Sequence, residues 1–217
     1  MMAVKQAGWG EGLMGDHATA IDEAVRALER GAAVVFPTDT VYGIGVAVAH
    51  AAGPDVIYRI KERDRGKPIA WLVGSVDDLA RYGRDVPPLA FDLAHAFWPG
   101  ALTLIVRASD AVPAAFRSSA GTIGLRMPQH DLALALVRAA GCPLATSSAN
   151  KAGRSAPGAF DELDPALVAE VPCVLRGSVP ASGVASTVLD CTGSHPRVVR
   201  AGGVSAAMLR AHGACEA

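Results

Sequence analysis

A polar segment placed directly after a buried strand is the feature that most constrains how this chain can fold. Residues 32–36, with the sequence A-A-V-V-F, predict a buried β-strand. Residues 37–45, P-T-D-T-V-Y-G-I-G, follow with small hydroxyls and glycines and without lysine or arginine. Glycine lets the backbone come close to a ligand and hydroxyls orient the ligand, so this segment suits a pocket for a small polar molecule. A polar turn without a ligand is an equal alternative from this segment alone.

The composition limits the classes of protein to which the chain can belong. Its 217 residues, 51% of them hydrophobic, can build one large domain or two small ones. The net charge of −1 argues against a protein that coats nucleic acid. Four cysteines without a C-x-x-C pair predict reduced, mostly buried thiols and argue against zinc. Because neither a signal-peptide pattern nor a long apolar run is present, the expected location is cytoplasmic, without membrane association.

Hydrophobic periodicity predicts helices and strands that are mixed along the chain. Helices are predicted from residue 16 to a stop at Gly31, over residues 54–59, 76–82, 89–97 and 131–140, and after Ser205. Strands are predicted over residues 32–36, near Val46, and over residues 69–73, 102–106, 122–125, 144–146, 174–175, 187–190 and 198–200. This order indicates a single α/β domain with a twisted mixed sheet and flanking helices. Residues 1–15 are predicted to be a loose leader before a domain over residues 16–211.

Five basic residues at every second position form the strongest charge pattern. They are Arg59, Lys61, Arg63, Arg65 and Lys67. In an extended segment these side chains would share one face, and cations crowded together favour a phosphate or carboxylate partner. A helix end whose charges simply face water is the alternative.

Polar residues at other predicted strand ends are weaker signals of a site. Arg126 ends an apolar strand, where an ion pair within the protein is the commoner role. Residues 146–150, T-S-S-A-N, place hydroxyls and an amide at another strand end, which suits phosphate, purine or a capped turn. Ser186 opens a strand and Arg200 closes one. P-loop, dinucleotide, G-x-S-x-G and H-E-x-x-H motifs are missing, which argues against those enzyme classes.

Taken together, these segments resemble the YrdC-like family of threonylcarbamoyl-AMP synthases, of the short TsaC type. The resemblance runs in order from about residue 16 to residue 209. It is carried by P-T-D-T-V-Y-G at 37–43, K-x-R-x-x-x-K-P at 61–68, W-P-G-x-L-T at 98–103, R-M-P at 126–128, S-A-N at 148–150, S-T at 186–187 and Arg200. It implies an α/β domain around a large basic cavity, with residues 16–211 as the catalytic domain and without a protein-bound metal.

The resemblance also implies a nucleotidyltransferase activity. L-Threonine, bicarbonate and ATP would give L-threonylcarbamoyl-adenylate and pyrophosphate, and other proteins would transfer the threonylcarbamoyl group to the adenosine beside the tRNA anticodon. ATP is expected as a substrate, with Mg²⁺ carried on its phosphates. The anionic carbamate of threonine must approach an anionic phosphate, so pre-placed lysine and arginine are needed there. Weak RNA binding by the protein itself is left open.

Site residues follow from the same resemblance, position by position. Lys61 and Arg63 match catalytic positions. Thr40, Arg126 and Ser186 match positions that contact threonine. The positions around ATP are matched by Arg63, Lys67, Thr122, Thr146, Ser148, Asn150 and Arg200. The chain departs from the family pattern near Leu72, where many relatives carry a histidine.

Two other functions stay open from the sequence. The first is a related enzyme of the same fold that makes a carbamoyl-adenylate from carbamoyl phosphate; the matches at Arg126 and Ser186 favour threonine instead. The second is a non-catalytic module that binds structured RNA. The net charge and the lack of stacking aromatic residues in the basic stretch argue against that module.

Overall fold

Among the described residues, 5–6, 15–177 and 181–214 of a computed structural model, eleven strands form one mixed sheet. The strands are β1 (Lys5–Gln6), β2 (Val34–Phe36), β3 (Gly43–Ala47), β4 (Ala70–Leu72), β5 (Gly83–Arg84), β6 (Leu102–Ala108), β7 (Thr122–Arg126), β8 (Leu144–Ser148), β9 (Cys173–Val174), β10 (Thr187–Asp190) and β11 (Arg197–Arg200). The helices are α1 (Gly15–Glu29), α2 (Asp55–Lys61), α3 (Asp78–Tyr82), α4 (Pro88–Phe97), α5 (Asp131–Ala139), α6 (Pro165–Val168) and α7 (Ala206–Ala211).

The strand order is β1-β9-β2-β3-β8-β4-β7-β6-β10-β11, and β5 pairs with β6 outside this path. Parallel pairing joins β4 to β7 and β6 to β10, whereas β3–β8, β8–β4 and β7–β6 are antiparallel. The prediction of a single α/β domain with a mixed sheet and flanking helices is therefore confirmed.

The two faces of the sheet are buried against different helices. In β2, Val34 and Phe36 join a cluster that contains residues of α1 and α5, whereas Val35 joins the larger cluster on the opposite face. Successive side chains of a strand point to opposite faces, which explains this division. Trp71 lies fully buried in the larger cluster, where its ring packs edge-on against the ring of Tyr82. The apolar run predicted as a buried strand is thus buried on both faces.

Most helix ends lie where the local sequence predicts them. Gly31, after α1, has a φ of 72°, a conformation that glycine adopts without strain. Ser205 caps α7, because its hydroxyl accepts a hydrogen bond from the backbone N–H of Met208 at 3.2 Å. The prediction missed α6, although the sequence carries its signal: Asp164 caps the helix and Pro165 is its first residue.

The structure describes only part of the predicted leader and three of the four cysteines. Residues 1–4 and 7–14 of the predicted leader lie outside the described residues, as does Cys215, whereas Lys5–Gln6 pair with β9. Cys173 and Cys191 are buried. In the described ranges, no helix combines the length and apolar character needed to cross a membrane.

The alternating basic residues do not share one face, which corrects the prediction for an extended segment. α2 continues to Lys61, and Glu62 ends it in a left-handed conformation with a φ of 52°. Two residues of a helix that are two positions apart point in widely different directions. Arg59 therefore reaches Glu170 at the surface, at 3.0 Å, while Lys61 is 2% exposed. Of the five basic residues, only Arg63 lines the cleft described below.

Candidate active site

A cleft of about 420 Å³ lies over the open part of one sheet face. This volume falls in the range of small-molecule sites. On this face, residues of α1 and α5 pack against Val34 and Phe36 of β2, Leu72 of β4 and Leu144 of β8, and the cleft lies beside that cluster. Positions that alternate along the strands line it: Ala70 and Leu72, Thr103 and Ile105, Thr122, Gly124 and Arg126, and Ser186 and Val188. The cleft is thus a consequence of strand register and of where the helices pack.

The charge of the cleft wall has one sign. Four arginines line it, namely Arg63, Arg126, Arg154 and Arg200, and no aspartate or glutamate is among its lining residues. Hydroxyl groups supply most of the remaining polar surface, from Thr38 and Thr40 to Ser148 and Ser186. Such a wall favours an anionic ligand over a bare cation.

The cleft brings together all but two of the predicted site residues. The lining includes Thr40, Arg63, Thr122, Arg126, Thr146, Ser148, Asn150, Ser186 and Arg200. Lys67 is not part of this lining and is exposed. Lys61 is also outside the lining, and its ammonium group is buried behind residues 148–150.

Arg126 is held by three partners from distant parts of the chain. Its Nε donates to the carbonyl oxygen of Gly100 at 2.9 Å, and its Nη1 donates to Thr40 Oγ1 at 2.8 Å. Its Nη2 donates to Asp39 Oδ1 at 2.5 Å. Burial lowers the pKa of Arg126, and the Asp39 carboxylate opposes that shift. Arg126 thus forms the internal ion pair that is the commoner role at such a strand end, and its bonds within the protein use three of its five N–H groups.

Thr40 contributes a hydroxyl to the cleft wall. Thr38 Oγ1 lies 2.6 Å from the carbonyl oxygen of Val41, so Thr38 must donate its only hydroxyl proton there. Between Thr38 and Thr40, whose oxygens are 3.0 Å apart, the donor must then be Thr40. Thr38 Oγ1 also accepts from the backbone N–H groups of Thr40, at 3.2 Å, and Val41, at 3.3 Å, so Thr40, which accepts from Arg126, can turn its proton to Thr38 or to a ligand.

Arg63 and Arg200 approach each other across the cleft without a carboxylate between them. Arg63 donates to Ser147 Oγ at 2.7 Å and to the carbonyl oxygen of Pro68 at 3.2 Å; within the described ranges its buried Nε has no partner. Arg200 donates to the carbonyl oxygen of Ser186 at 2.8 Å and to its hydroxyl at 3.0 Å. Burial, and then the charge of Arg63, lower the pKa of Arg200. An anion between these guanidinium groups would relieve their repulsion.

Sequence reasoning missed several residues of the cleft. Thr103 is 4% exposed and its hydroxyl lies 2.9 Å from Ser186 Oγ. It belongs to the W-P-G-x-L-T segment, and that motif could have identified it. Ser147 and Arg154 also line the cleft, and both lie in or beside the T-S-S-A-N segment. In the described part of the chain, no three His, Cys, Asp or Glu residues are close enough to hold a metal ion.

Comparison of the sequence finds one family and many relatives. The family model for Sua5, YciO and YrdC proteins, described as "Telomere recombination", matches residues 26–202. A putative threonylcarbamoyl-AMP synthase of Mycobacterium leprae is 39% identical over 193 residues, which are 89% of this chain and 87% of that protein. The threonylcarbamoyl-AMP synthase of Bacillus subtilis is 34% identical over 192 residues, which are 88% of this chain. The chain spans 56% of the length of that relative and 52% of the Pyrococcus abyssi synthase.

Solved structures agree with this family. The crystal structure of P. abyssi Sua5 complexed with L-threonine matches with a TM-score of 0.82 and 31% identity, over 88% of this chain and 56% of that one. The crystal structure of Escherichia coli YciO matches with a TM-score of 0.77 and 28% identity, over 84% of this chain and 88% of that one. The chain therefore belongs to the Sua5/YciO/YrdC family.

Proposed function

We propose that this protein is an L-threonylcarbamoyl-adenylate synthase. The amine of L-threonine combines with bicarbonate to give the N-carboxylate and water, and a carboxylate oxygen then attacks the α-phosphorus of ATP. The bond from that phosphorus to the bridging oxygen breaks, and pyrophosphate leaves. The observation that carries the proposal is a cleft lined by four arginines and no carboxylate, in a chain of this family. The names of the curated relatives and the threonine complex of Sua5 support it.

The nucleotide occupies the side of the cleft between Arg63 and Arg200. Both cations offset the charge of the α-phosphate and of the leaving pyrophosphate, where negative charge grows in the transition state. Nη1 and Nη2 of Arg63 each make one hydrogen bond within the protein, which leaves one N–H on each for that charge. The hydroxyls of Thr122 and Ser148 add neutral polar groups, whereas Thr146 donates its hydroxyl proton to the carbonyl oxygen of Ala70 at 3.2 Å. Mg²⁺ arrives on the phosphates of ATP, because the cleft wall offers it no carboxylate.

Lysines of the predicted site take less direct roles in this proposal. Lys67 is exposed at the surface and approaches the phosphates only from the rim. Lys61 has its hydrogen bonds within the protein, and its role is argued separately below.

Threonine occupies the side of the cleft at Arg126. The two available N–H groups of Arg126 pair with its carboxylate. Thr40 presents its hydroxyl to the amine or the hydroxyl of the substrate. Ser186 supplies a second hydroxyl, and the apolar side chains of Ile105 and Val188 offer a surface for the methyl group.

Enclosure by the cleft protects the intermediate. A free carbamate loses carbon dioxide readily in water, so a site that holds it against the α-phosphate favours transfer over loss. Residues 16–211 form the catalytic domain of this proposal, acting in the cytoplasm. The adenylate passes to proteins that transfer its threonylcarbamoyl group to the adenosine beside the tRNA anticodon.

Pyrophosphate release tests the function. The protein should release pyrophosphate from ATP only when threonine and bicarbonate are both present, and mass spectrometry should detect threonylcarbamoyl-adenylate. Release with carbamoyl phosphate in place of threonine and bicarbonate would assign the carbamoyl-adenylate reaction instead. RNA binding that weakens steeply with salt, without any pyrophosphate release, would assign the RNA-binding module.

A further inference from the structure

The ammonium group of Lys61 is fully occupied by the protein. Its Nζ donates to the carbonyl oxygens of Ser148 and Asn150, the second at 2.5 Å, and to Asn150 Oδ1 at 3.3 Å. An ammonium group has three N–H bonds, and all three are used. Lys61 is 2% exposed and does not line the cleft. No donor of Lys61 is left for a phosphate.

The carboxamide of Asn150 is occupied in the same way, although Asn150 lines the cleft. Its Oδ1 accepts from Lys61, and its Nδ2 donates to the carbonyl oxygens of Lys151, at 3.1 Å, and Arg154, at 2.7 Å. Both N–H bonds of the amide are therefore used within the turn that follows β8. Lys61 and Asn150 together form what we call the clasp.

The clasp holds residues 148–154 in one conformation. The backbone N–H of Ala152 donates to the carbonyl oxygen of Lys61 at 2.9 Å, which ties the turn to the end of α2. Gly153 has a φ of 81°, which few other residues adopt. On the outer side, Lys151 bridges Glu62, at 2.8 Å, and Glu170, at 3.3 Å.

The residue that the held turn presents is Arg154. Arg154 is among the residues that line the cleft, and its side chain is 74% exposed. Within the described ranges its carboxylate partner is Asp164, at a loose 3.9 Å. Arg63, Arg126 and Arg200, by contrast, all have close hydrogen bonds within the protein. Arg154 is thus the lining arginine with the most donors available to a ligand.

We infer that Lys61 and Asn150 are positioning residues that set the 148–154 turn, and that Arg154, carried by this turn, binds the phosphates of the nucleotide. The inference rests on the proposed function for the identity of the ligand, whereas the clasp itself exists without a ligand. It assigns Lys61 and Asn150 no contact with ATP. Their loss acts through the placement of Ser148 and Arg154.

Nuclear magnetic resonance of the ligand-free protein tests the clasp independently of any activity. Asn150 is the only asparagine of the chain, so ¹⁵N-asparagine labels one side-chain amide. We expect two resolved amide proton signals that exchange slowly with water, and faster exchange after Lys61→Met. A signal pair that exchanges as fast as a free carboxamide in the wild-type protein would refute the clasp.

A double-mutant cycle on ATP affinity tests the role of Arg154. By calorimetry, Asn150→Ala and Arg154→Ala should each weaken ATP binding about tenfold, as loss of one charge-assisted contact does. The double variant should be little weaker than either single variant, because both changes remove the same interaction. Multiplying losses, about 100-fold together, would show that Asn150 contacts ATP by itself and refute its positioning role. Full ATP affinity in Arg154→Ala would refute the role of Arg154.

The clasp and the proposed function can be refuted separately. Asn150→Asp keeps the acceptor for Lys61 but loses both N–H donors to the turn. It should therefore weaken ATP binding as much as Asn150→Ala does. Wild-type ATP affinity in Asn150→Asp would refute the clasp as the device that positions the turn. Wild-type protein that binds no ATP would overturn the proposed function and the phosphate role of Arg154, and the asparagine signals would still judge the clasp.

Discussion

Replacement of Arg63 by alanine is the sharpest test of the cleft chemistry. Arg63 lines the cleft, its Nε is buried without a partner in the described structure, and it faces the second cation Arg200. Removal of one pre-placed donor to a charge that develops in the transition state commonly lowers kcat by about 10²–10³, equivalent to about 2.7–4 kcal/mol. We expect kcat/KM for pyrophosphate release to fall by that factor in Arg63→Ala.

The same substitution should change stability much less. Arg63 forms hydrogen bonds with Ser147 Oγ and with the carbonyl oxygen of Pro68, and a typical hydrogen bond contributes about 0.5–1.5 kcal/mol net. Pro68 is exposed and Ser147 is half-buried, so water can replace the lost guanidinium. Relief of the repulsion from Arg200 offsets part of the loss. The free energy of unfolding in urea should therefore fall by about 1 kcal/mol.

A neighbouring arginine provides the matched control. Arg65 lies two residues further along, with a side chain that is 77% exposed and paired with Asp55 at 3.3 Å. Arg65→Ala should keep kcat/KM within about twofold, because exposed ion pairs contribute little. Arg63→Lys, which keeps the charge but not the planar set of donors, should lie between wild type and Arg63→Ala. A folded Arg63→Ala enzyme with nearly wild-type kcat/KM would refute the assignment of Arg63.

Three further predictions concern the substrate, the backbone and pH. The rate of pyrophosphate release should decrease in the order threonine, serine, valine. Loss of one methyl group lowers kcat/KM about 10–200-fold, and leaving a polar partner in the site without its hydrogen bond lowers it further. Equal rates for valine and serine would contradict a site that recognises the hydroxyl. Gly202→Ala would place a Cβ 2.5 Å from the backbone carbon of Ser186 and closer still to the carbonyl oxygen of Ala185. The free energy of unfolding in urea should therefore fall by about 1–3 kcal/mol. The control Gly193→Ala, whose Cβ would have its nearest contact at 3.7 Å, should leave that free energy unchanged. Burial, and then the charge of a neighbouring arginine, lower the pKa of Lys61 from 10.5 to about 8, so between these pH values the unfolded chain holds a proton that the folded protein has released. The stability of wild type relative to Lys61→Met should therefore rise with pH across that window in urea titrations, and a pH-independent difference would argue against the lowered pKa.

The local pattern of apolar residues was enough to predict most of the helices and strands, because the spacing of apolar residues indicates which side of a helix or strand is buried. The prediction of a strand over residues 187–190 matches β10, and the predicted helix over residues 131–140 matches α5 to within a residue. The same reasoning failed for the basic residues around Lys61, because alternation implies a shared face only in an extended chain. The helix that ends there divides them, and nothing in the charges themselves marks where it ends.

Most of the residues that line the cleft could be predicted from the sequence, because short motifs in a fixed order mark them. The hydrogen-bond partners of these residues could not be predicted. Arg126 is paired with Asp39, and Lys61 bonds to Asn150, across 87 and 89 positions of the chain. Hydrogen bonds over such separations depend on strand order and register, which local periodicity does not encode. The sequence therefore marked most of the residues that line the cleft, and only the tertiary structure decided which of these residues are held by hydrogen bonds to distant parts of the chain.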